Sequence, residues 1–346
     1  MGPVSERAIH FGVLIGAIAL SAWTFTGPVP NSANGTVRAE RAPSAAASPL
    51  AIIPPGSAFV LSANLAALAR APVGAVFAER LGRLGRASEL TKRCGFDLLT
   101  RLEQLALAVP SAGLPGTSET HPDDFGIVAS GQFSGAEITR CASAVIAQRG
   151  GEAAFARLGS FSSVRDRKGS GGEVAAKNGL LVVSGGSYFR ELLDSAEGTG
   201  VRAPHDPRDA RHAELRRALG PGEISATWLL ADGWFQRVSG DQEARLSPLG
   251  ALIALGARVQ VGANAHLTVL LDCADATGAA KVQAWFNELR SSLGAFGLEP
   301  ALAALAQRVE LTPSGSRLRL DLTLTAHELS ALLNALFSDE MGPAKR

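Results

Sequence analysis

The chain predicts an α+β body of two tandem halves, each in the order β-α-β-β-α-β-β-α, behind an N-terminal hydrophobic helix. Three observations carry this. Short stretches of alternating apolar residues are separated by segments with helical three- and four-residue spacing. The order of these segments repeats in the second part of the chain. In Arg317–Thr325, finally, Leu318, Leu320, Leu322 and Leu324 alternate strictly with Arg317, Arg319, Asp321, Thr323 and Thr325. A strand of that kind has one wet face. It favours largely antiparallel sheets covered by helices on one side over a doubly wound parallel sheet buried on both. The core of the order is the split βαβ, or ferredoxin-like, arrangement.

Residues 1–8 form a short N-terminal segment. Between Arg7 and Arg38 there is no Lys, Arg, Asp or Glu, and Phe11–Phe25 is almost wholly apolar. A spanning helix needs roughly 20 apolar residues, with about 17 as the lower limit. Ile9 to Phe25 meets that limit, and Gly27, Pro28 and Pro30 would end the helix. Residues 9–28 therefore read as a transmembrane anchor. The alternative is a cleaved signal peptide, with Arg7 in the n-region and small residues around Ala17–Ser21 for cleavage. Both place the body outside the cytoplasm, in the periplasm if anchored and secreted if cleaved. Residues 29–50, rich in Pro, Ala, Ser, Asn and Gly, read as a disordered tether.

The first half, 51–200, opens with strand Ser57–Asn64 after Pro54-Pro55-Gly56. Helical spacing runs from Leu65 to about Gly85, followed by the loop Cys94-Gly95-Phe96-Asp97. Strands Glu103–Val109 and Asp124–Phe133 flank a Gly/Pro/Ser loop. Ser134 caps a helix to about Arg149 that carries Ile138, Cys141 and Val145 on one stripe. Strands at about Phe161–Arg165, Glu173–Lys177 and Leu180–Ser184 lead to a helix from Ser187. Residues 201–222 hold a connecting charged helix with Asp206 as cap and Pro207 as first residue.

The second half, 223–340, begins with strand Glu223–Leu230. A helical region from Asp232 to about Leu255 is broken near Ser247-Pro248. Arg258–Gly262 and His266–Cys273 form a hairpin. Asp275 caps a helix with Val282, Trp285, Phe286, Leu289, Leu293 and Phe296 on one face. Strands Arg308–Leu311 and Arg317–Thr325 join through Pro313-Ser314-Gly315, and a helix with Leu329, Leu332, Leu333 and Leu336 ends the pattern.

Composition narrows the function. Formal charge is +1, with 33 basic against 32 acidic residues, and only five of the basic residues are Lys. Matched charge and a single Tyr argue against nucleic acid as a partner. The densest polar cluster is His205-Asp206-Pro207-Arg208-Asp209-Ala210-Arg211-His212. Asp209 and His212 stand three apart on a helix, so both could face one metal with His205 arriving from the loop. The simpler reading makes Asp206 a cap, Asp209 a first-turn acid, and His212 part of the apolar stripe of Leu215 and Leu219.

His121-Pro122-Asp123-Asp124 reads as a solvated loop. Gly169–Gly172 reads as a hairpin tip, and Ser184–Ser187 as a strand-to-helix turn. His266 and His327 read as surface residues, and Trp228, Trp234 and Trp285 as core. No nucleophile elbow, phosphate loop or dinucleotide pattern occurs. No cofactor is called for, and the chain reads as non-enzymatic. Of the cysteines, Cys94 and Cys141 are placed for a disulfide, which export permits, and Cys273 shares an apolar strand face.

Pro55–Leu65 (PGSAFVLSANL), Cys94-Gly95-Phe96-Asp97 and Leu105–Pro110, with the Asp124–Phe133 and Trp228-Leu229-Leu230 strands, resemble a family of uncharacterised membrane-anchored or secreted proteins of myxobacteria. The resemblance implies an address and no mechanism. The leading expectation is a non-enzymatic, membrane-tethered binding or structural protein with a cell-envelope partner. A metal-dependent hydrolase using His205, Asp209 and His212 is one alternative. A small-molecule or lipid carrier is the other.

Overall fold

The computed structural model describes residues 48–337 apart from 75, 77–86, 111–124, 170–171, 187, 200–205, 240–245, 293–303 and 306. The predicted membrane segment at 9–28 lies outside the described residues, as does nearly all of the predicted tether. Among the described residues no helix is long and apolar enough to cross a membrane. The body begins slightly earlier than expected. Pro49–Ile52 forms a helical turn, α1, with Pro49 and Ile52 buried.

Strands β1 (Ser57–Asn64), β2 (Leu102–Pro110) and β3 (Gly126–Gly131) form an antiparallel meander. Between β1 and β2 lie helices α2 (Leu65–Arg70), α3 (Ala87–Cys94) and α4 (Leu98–Arg101). The predicted helix from Leu65 to about Gly85 is thus interrupted after Arg70, where Ala71 turns extended ahead of Pro72, and Gly74 and Val76 are helical again. Proline disfavours the helical region in the residue before it. The remainder of that prediction falls mostly outside the described residues.

After β3 comes α5 (Gly135–Gln148), closed by a capping box between Ser134 and Glu137. Then follow β4 (Ala153–Leu158), β5 (Phe161–Asp166), β6 (Glu173–Lys177) and β7 (Leu180–Ser184). Strand β4 is absent from the sequence reading. It opens on two alanines and its next three residues, Phe155 to Arg157, are exposed, so no apolar alternation marks it. Helices α6 (Tyr188–Glu197) and α7 (Pro207–Leu219) complete the passage to the second half.

The second half contains β8 (Ile224–Leu229), α8 (Trp234–Ser239), a 3-10 turn at Ser247–Ala251, β9 (Leu252–Val261), β10 (Ala265–Cys273) and α9 (Ala276–Ser292). It ends with β11 (Leu311–Ser314), β12 (Arg317–Leu324) and α10 (Ala326–Phe337). The helical region expected up to Leu255 ends at the 3-10 turn. Its last residues belong to β9, where Leu252 and Ala254 are buried at strand period. The strand expected at Arg308–Leu311 starts at Leu311 instead.

The two halves do not form separate ferredoxin-like sheets. They share one twelve-stranded sheet of order β11-β12-β10-β9-β8-β1-β2-β3-β7-β6-β5-β4. Every pairing described in it is antiparallel. A split βαβ places parallel strands side by side through crossover helices. Here each half runs as a three-strand meander, then a helix carries the chain to the sheet's outer edge, and hairpins return it beside the third strand. The first strands of the halves meet: β1 pairs with β8 through Phe59↔Trp228, Val60↔Thr227 and Leu61↔Ala226. Each would otherwise present an unpaired apolar edge, so fusing the sheets satisfies both.

Helices cover both faces rather than one. On β3, Val128 packs with Val182, Phe189 and Leu192 under α6. Its neighbour Ala129 packs on the opposite side with Ile138 of α5, Phe133 and Leu181. The strict alternation of β12 describes only the far end of the sheet. The strands of the first half lie between two helical layers, and their near-continuous apolar runs follow from that. In the second half α9 supplies Ala279 and Val282 to a core with Leu252, Cys273, Leu311 and Leu318. On the opposite face α7 lays Leu215 and Leu219 against Gly256, where a Cβ would stand 3.1 Å from Leu219 Cδ1.

Candidate functional site

The polar residues singled out in the sequence gather where α7 crosses the β1–β8 seam. Asp206 caps the helix, its Oδ1 accepting from the Arg208 backbone N–H at 2.9 Å. The Arg208 guanidinium also meets both of its carboxylate oxygens. These contacts hold the Asp206 carboxyl below the usual carboxylate range. One turn on, Asp209 Oδ1 accepts the Gly56 N–H at 3.2 Å. Gly56 has φ +83°, a conformation that L side chains rarely adopt, so this turn into β1 is built for glycine.

His212 is 2% exposed. Its Nε2 lies 2.9 Å from the Ser57 carbonyl oxygen, which can only accept, so Nε2 carries the proton. Nδ1 is then the acceptor and receives the Thr227 hydroxyl at 2.7 Å. Burial pushes the imidazole below its ordinary pKa, and the bond to Ser57 opposes this only in part. The ring therefore ties α7 to the first strand of both halves at once.

Ser57 has a second partner. Its hydroxyl donates to the Pro54 carbonyl at 3.2 Å, which leaves its oxygen to accept from Tyr188 Oη at 2.8 Å. Tyr188, the chain's single tyrosine, is buried on α6, and burial drives its phenol far above the ordinary range. Sequence reading passed over this contact. The one signal was a lone Tyr in a chain that otherwise fills its core with Phe.

A second buried network also went unread. Asp272, at the end of β10 and 3% exposed, accepts from Arg317 Nε and from Arg317 Nη2 at 2.9 Å. Arg211 Nη2 of α7 stands 2.8 Å from its Oδ2. Glu214 closes the ring, 2.6 Å from Arg211 and 3.0 Å from Arg317. The two arginines hold Glu214 below the usual carboxylate range. Asp272 and Arg317 lie 45 residues apart and face each other only because β10 and β12 pair at that position.

Of the metal candidates, Asp209 and His212 share α7, and His205 lies outside the described residues. Both ring nitrogens of His212 already have protein partners. Among the described residues no three His, Cys, Asp or Glu side chains converge as a metal-ion cluster. His121 to Asp124 also lie outside the described residues. His266 Nδ1 pairs with Thr323 Oγ1 at 2.9 Å on the outer sheet face. Ser184 ends β7 with its hydroxyl donating to the Phe125 carbonyl, so its Gly-rich segment serves the strand-to-helix turn. Trp234 Nε1 donates to the Leu252 carbonyl at 3.0 Å, a core role. Cys94 and Cys141 are joined as a disulfide between α3 and α5, their Cα atoms 4.4 Å apart. Cys273 is a buried free thiol, pushed up to about 11 by burial.

The described residues also line two shallow cavities. One of about 390 Å³ lies on the second half between Arg258, Gln260, His266 and Asp321. The other, about 430 Å³, lies by the start of α5 near Arg157, Ser162 and Asn178.

Fold and seam together define an α+β protein with one continuous antiparallel sheet and helices on both faces. No family model and no curated protein matches the chain. A solved structure is similar to it, described as "Structure of crystal form III of TP0453". The TM-score is 0.51 at 14% identity, over 84% of this chain and 100% of that one. At that identity the likeness concerns the fold alone.

Proposed function

We propose that this is an exported, membrane-tethered binding or structural protein of the cell envelope that works without catalysis. The observation that carries the reading is the employment of its buried polar groups. His212, Tyr188 and Asp272 are each bound by partners that join a helix to the sheet: His212 and Tyr188 at Ser57 of β1, Asp272 to Arg211 of α7 and Arg317 of β12. The charge-free apolar run at Phe11–Phe25 supports the address, and the long sheet with its helical layers offers surface for a partner. A metal-dependent hydrolysis through His212 would first have to release both of its ring nitrogens.

Cell fractionation of the full chain, with N-terminal sequencing of the mature protein and crosslinking in intact cells, tests this reading. The expected result is an envelope fraction, with the body outside the inner membrane and one or more crosslinked partners. A body recovered in the cytoplasm refutes the address. Stoichiometric zinc in protein purified without chelators, lost in His212→Ala, refutes the non-catalytic reading in favour of the metal alternative.

A further inference from the structure

The two ends of the sheet differ in how they meet solvent. At one end stands β4, with Phe155 65% exposed, the most exposed large apolar side chain described. Strand β4 turns into β5 through the two-residue loop Gly159-Ser160, closing on the pair Leu158↔Phe161. In such a hairpin the closing pair is hydrogen-bonded and the bonded pairs then alternate. Ala156 and Ala154 thus bond inward to β5, and the backbone N–H and C=O groups of Ala153, Phe155 and Arg157 point outward. No Pro or bulge blunts this edge, and Arg157 is the one charge along it.

The other end is closed. Strand β11 turns into β12 through Gly315-Ser316, closing on Ser314↔Arg317, with Pro313 opposite Leu318. The same alternation puts Leu311 and Pro313 at the outward positions. Pro313 has no N–H to give, so that edge lacks one of its two outward donors.

We propose that β4 is a self-association edge, on which two copies of this chain pair antiparallel about a two-fold axis through Phe155. The register is self-complementary. Phe155 meets Phe155 of the second copy, and Arg157 faces Ala153, so no like charges oppose each other across the strands. Three bonded pairs form, exchanging about six hydrogen bonds. A two-fold contact uses the same strand on both copies and so consumes it. With β11 blocked by Pro313, association stops at the dimer and does not run on as a filament. A formal charge of +1 per chain offers little long-range repulsion between copies.

Sedimentation velocity of the full chain in density-matched mild detergent tests this across about 1 to 200 µM, the range of a weak to moderate dimer. The expected result is a concentration-dependent doubling of mass. Phe155→Lys raises the dissociation constant at least about tenfold while leaving circular dichroism and thermal unfolding unchanged, because the replaced ring is exposed. The double variant Ala153→Cys with Arg157→Cys, oxidised, gives a covalent dimer. A monomer throughout the range overturns the proposal and leaves the edge to a different partner. Association of Phe155→Lys at wild-type strength overturns it too, and points to the N-terminal segment. Dimerisation without the 153–157 crosslink overturns the register and the proposal with it.

Discussion

Asp272→Ala removes the acceptor at the centre of the Asp272–Arg317–Arg211–Glu214 ring. The wild-type carboxylate is 3% exposed and takes three charge-assisted contacts from two arginines. Two cations balance two anions in the ring, and the variant leaves it with an excess positive charge. Losing one partner of a fully buried ion pair costs about 3–5 kcal/mol. Here both arginines are partly solvated and keep Glu214, with side-chain exposures of 33% for Arg211 and 27% for Arg317. The lower end of the range applies, about 3 kcal/mol. Glu214→Ala, whose side chain is 45% exposed, should cost about 1 kcal/mol or less. Urea unfolding at pH 7, read as a midpoint shift at constant slope, measures both. If Asp272→Ala lies within about 1 kcal/mol of wild type, the ring does not lock α7 to the β10–β12 ladder and the reasoning fails.

Protonation of His212 gives a second check. Its folded pKa lies below the ordinary histidine value, so the unfolded chain takes up the proton first as pH falls. Stability is full above about pH 6.5 and declines below it until the folded pKa is reached. Urea titrations at pH 7.5 and 5.5 should show less of this acid loss in His212→Gln than in wild type. The depressed Asp206 and Glu214 carboxyls act in the same direction, but at the lower pH where carboxylates titrate. Tyr188→Phe strips the hydroxyl from Ser57 and should lower stability by about 1 kcal/mol with no change of fold, seen by chemical denaturation. Reducing Cys94–Cys141, which are 47 residues apart in sequence, releases a loop whose closure entropy is worth up to about 4 kcal/mol. Unfolding with and without reductant measures that loss. Thiol titration of the native oxidised protein should find Cys273 unreactive until the chain unfolds.

Much of the element order was legible because its signals are local. Ser134 announced the start of α5, and Asp206-Pro207 announced α7. The Leu/polar alternation of β12 announced a strand with one wet face. The errors came where a local signal was weak or meant something else. Strand β4 has no apolar period to read. Leu252 to Leu255 fit a helical stripe as well as they fit a strand. The alternation of β12 was extended to a sheet whose other half lies between two helical layers. On α7 the simpler reading, with Asp206 as cap and His212 on the stripe of Leu215 and Leu219, matches the helix, but sequence does not show which carbonyl and hydroxyl occupy the His212 ring.

The sequence by itself determined the α+β class and the order of elements in the second half. Spacing along a single chain suffices for these, since hydropathy period and capping act over a few residues. Only the tertiary structure decided that β1 and β8 fuse two sheets into one, and that His212 and Asp272 bind that sheet to α7. The His212 partners Ser57 and Thr227 lie 155 and 15 residues away. Contacts over such separations are set by strand register, which depends on which edges remain unpaired after the halves have formed.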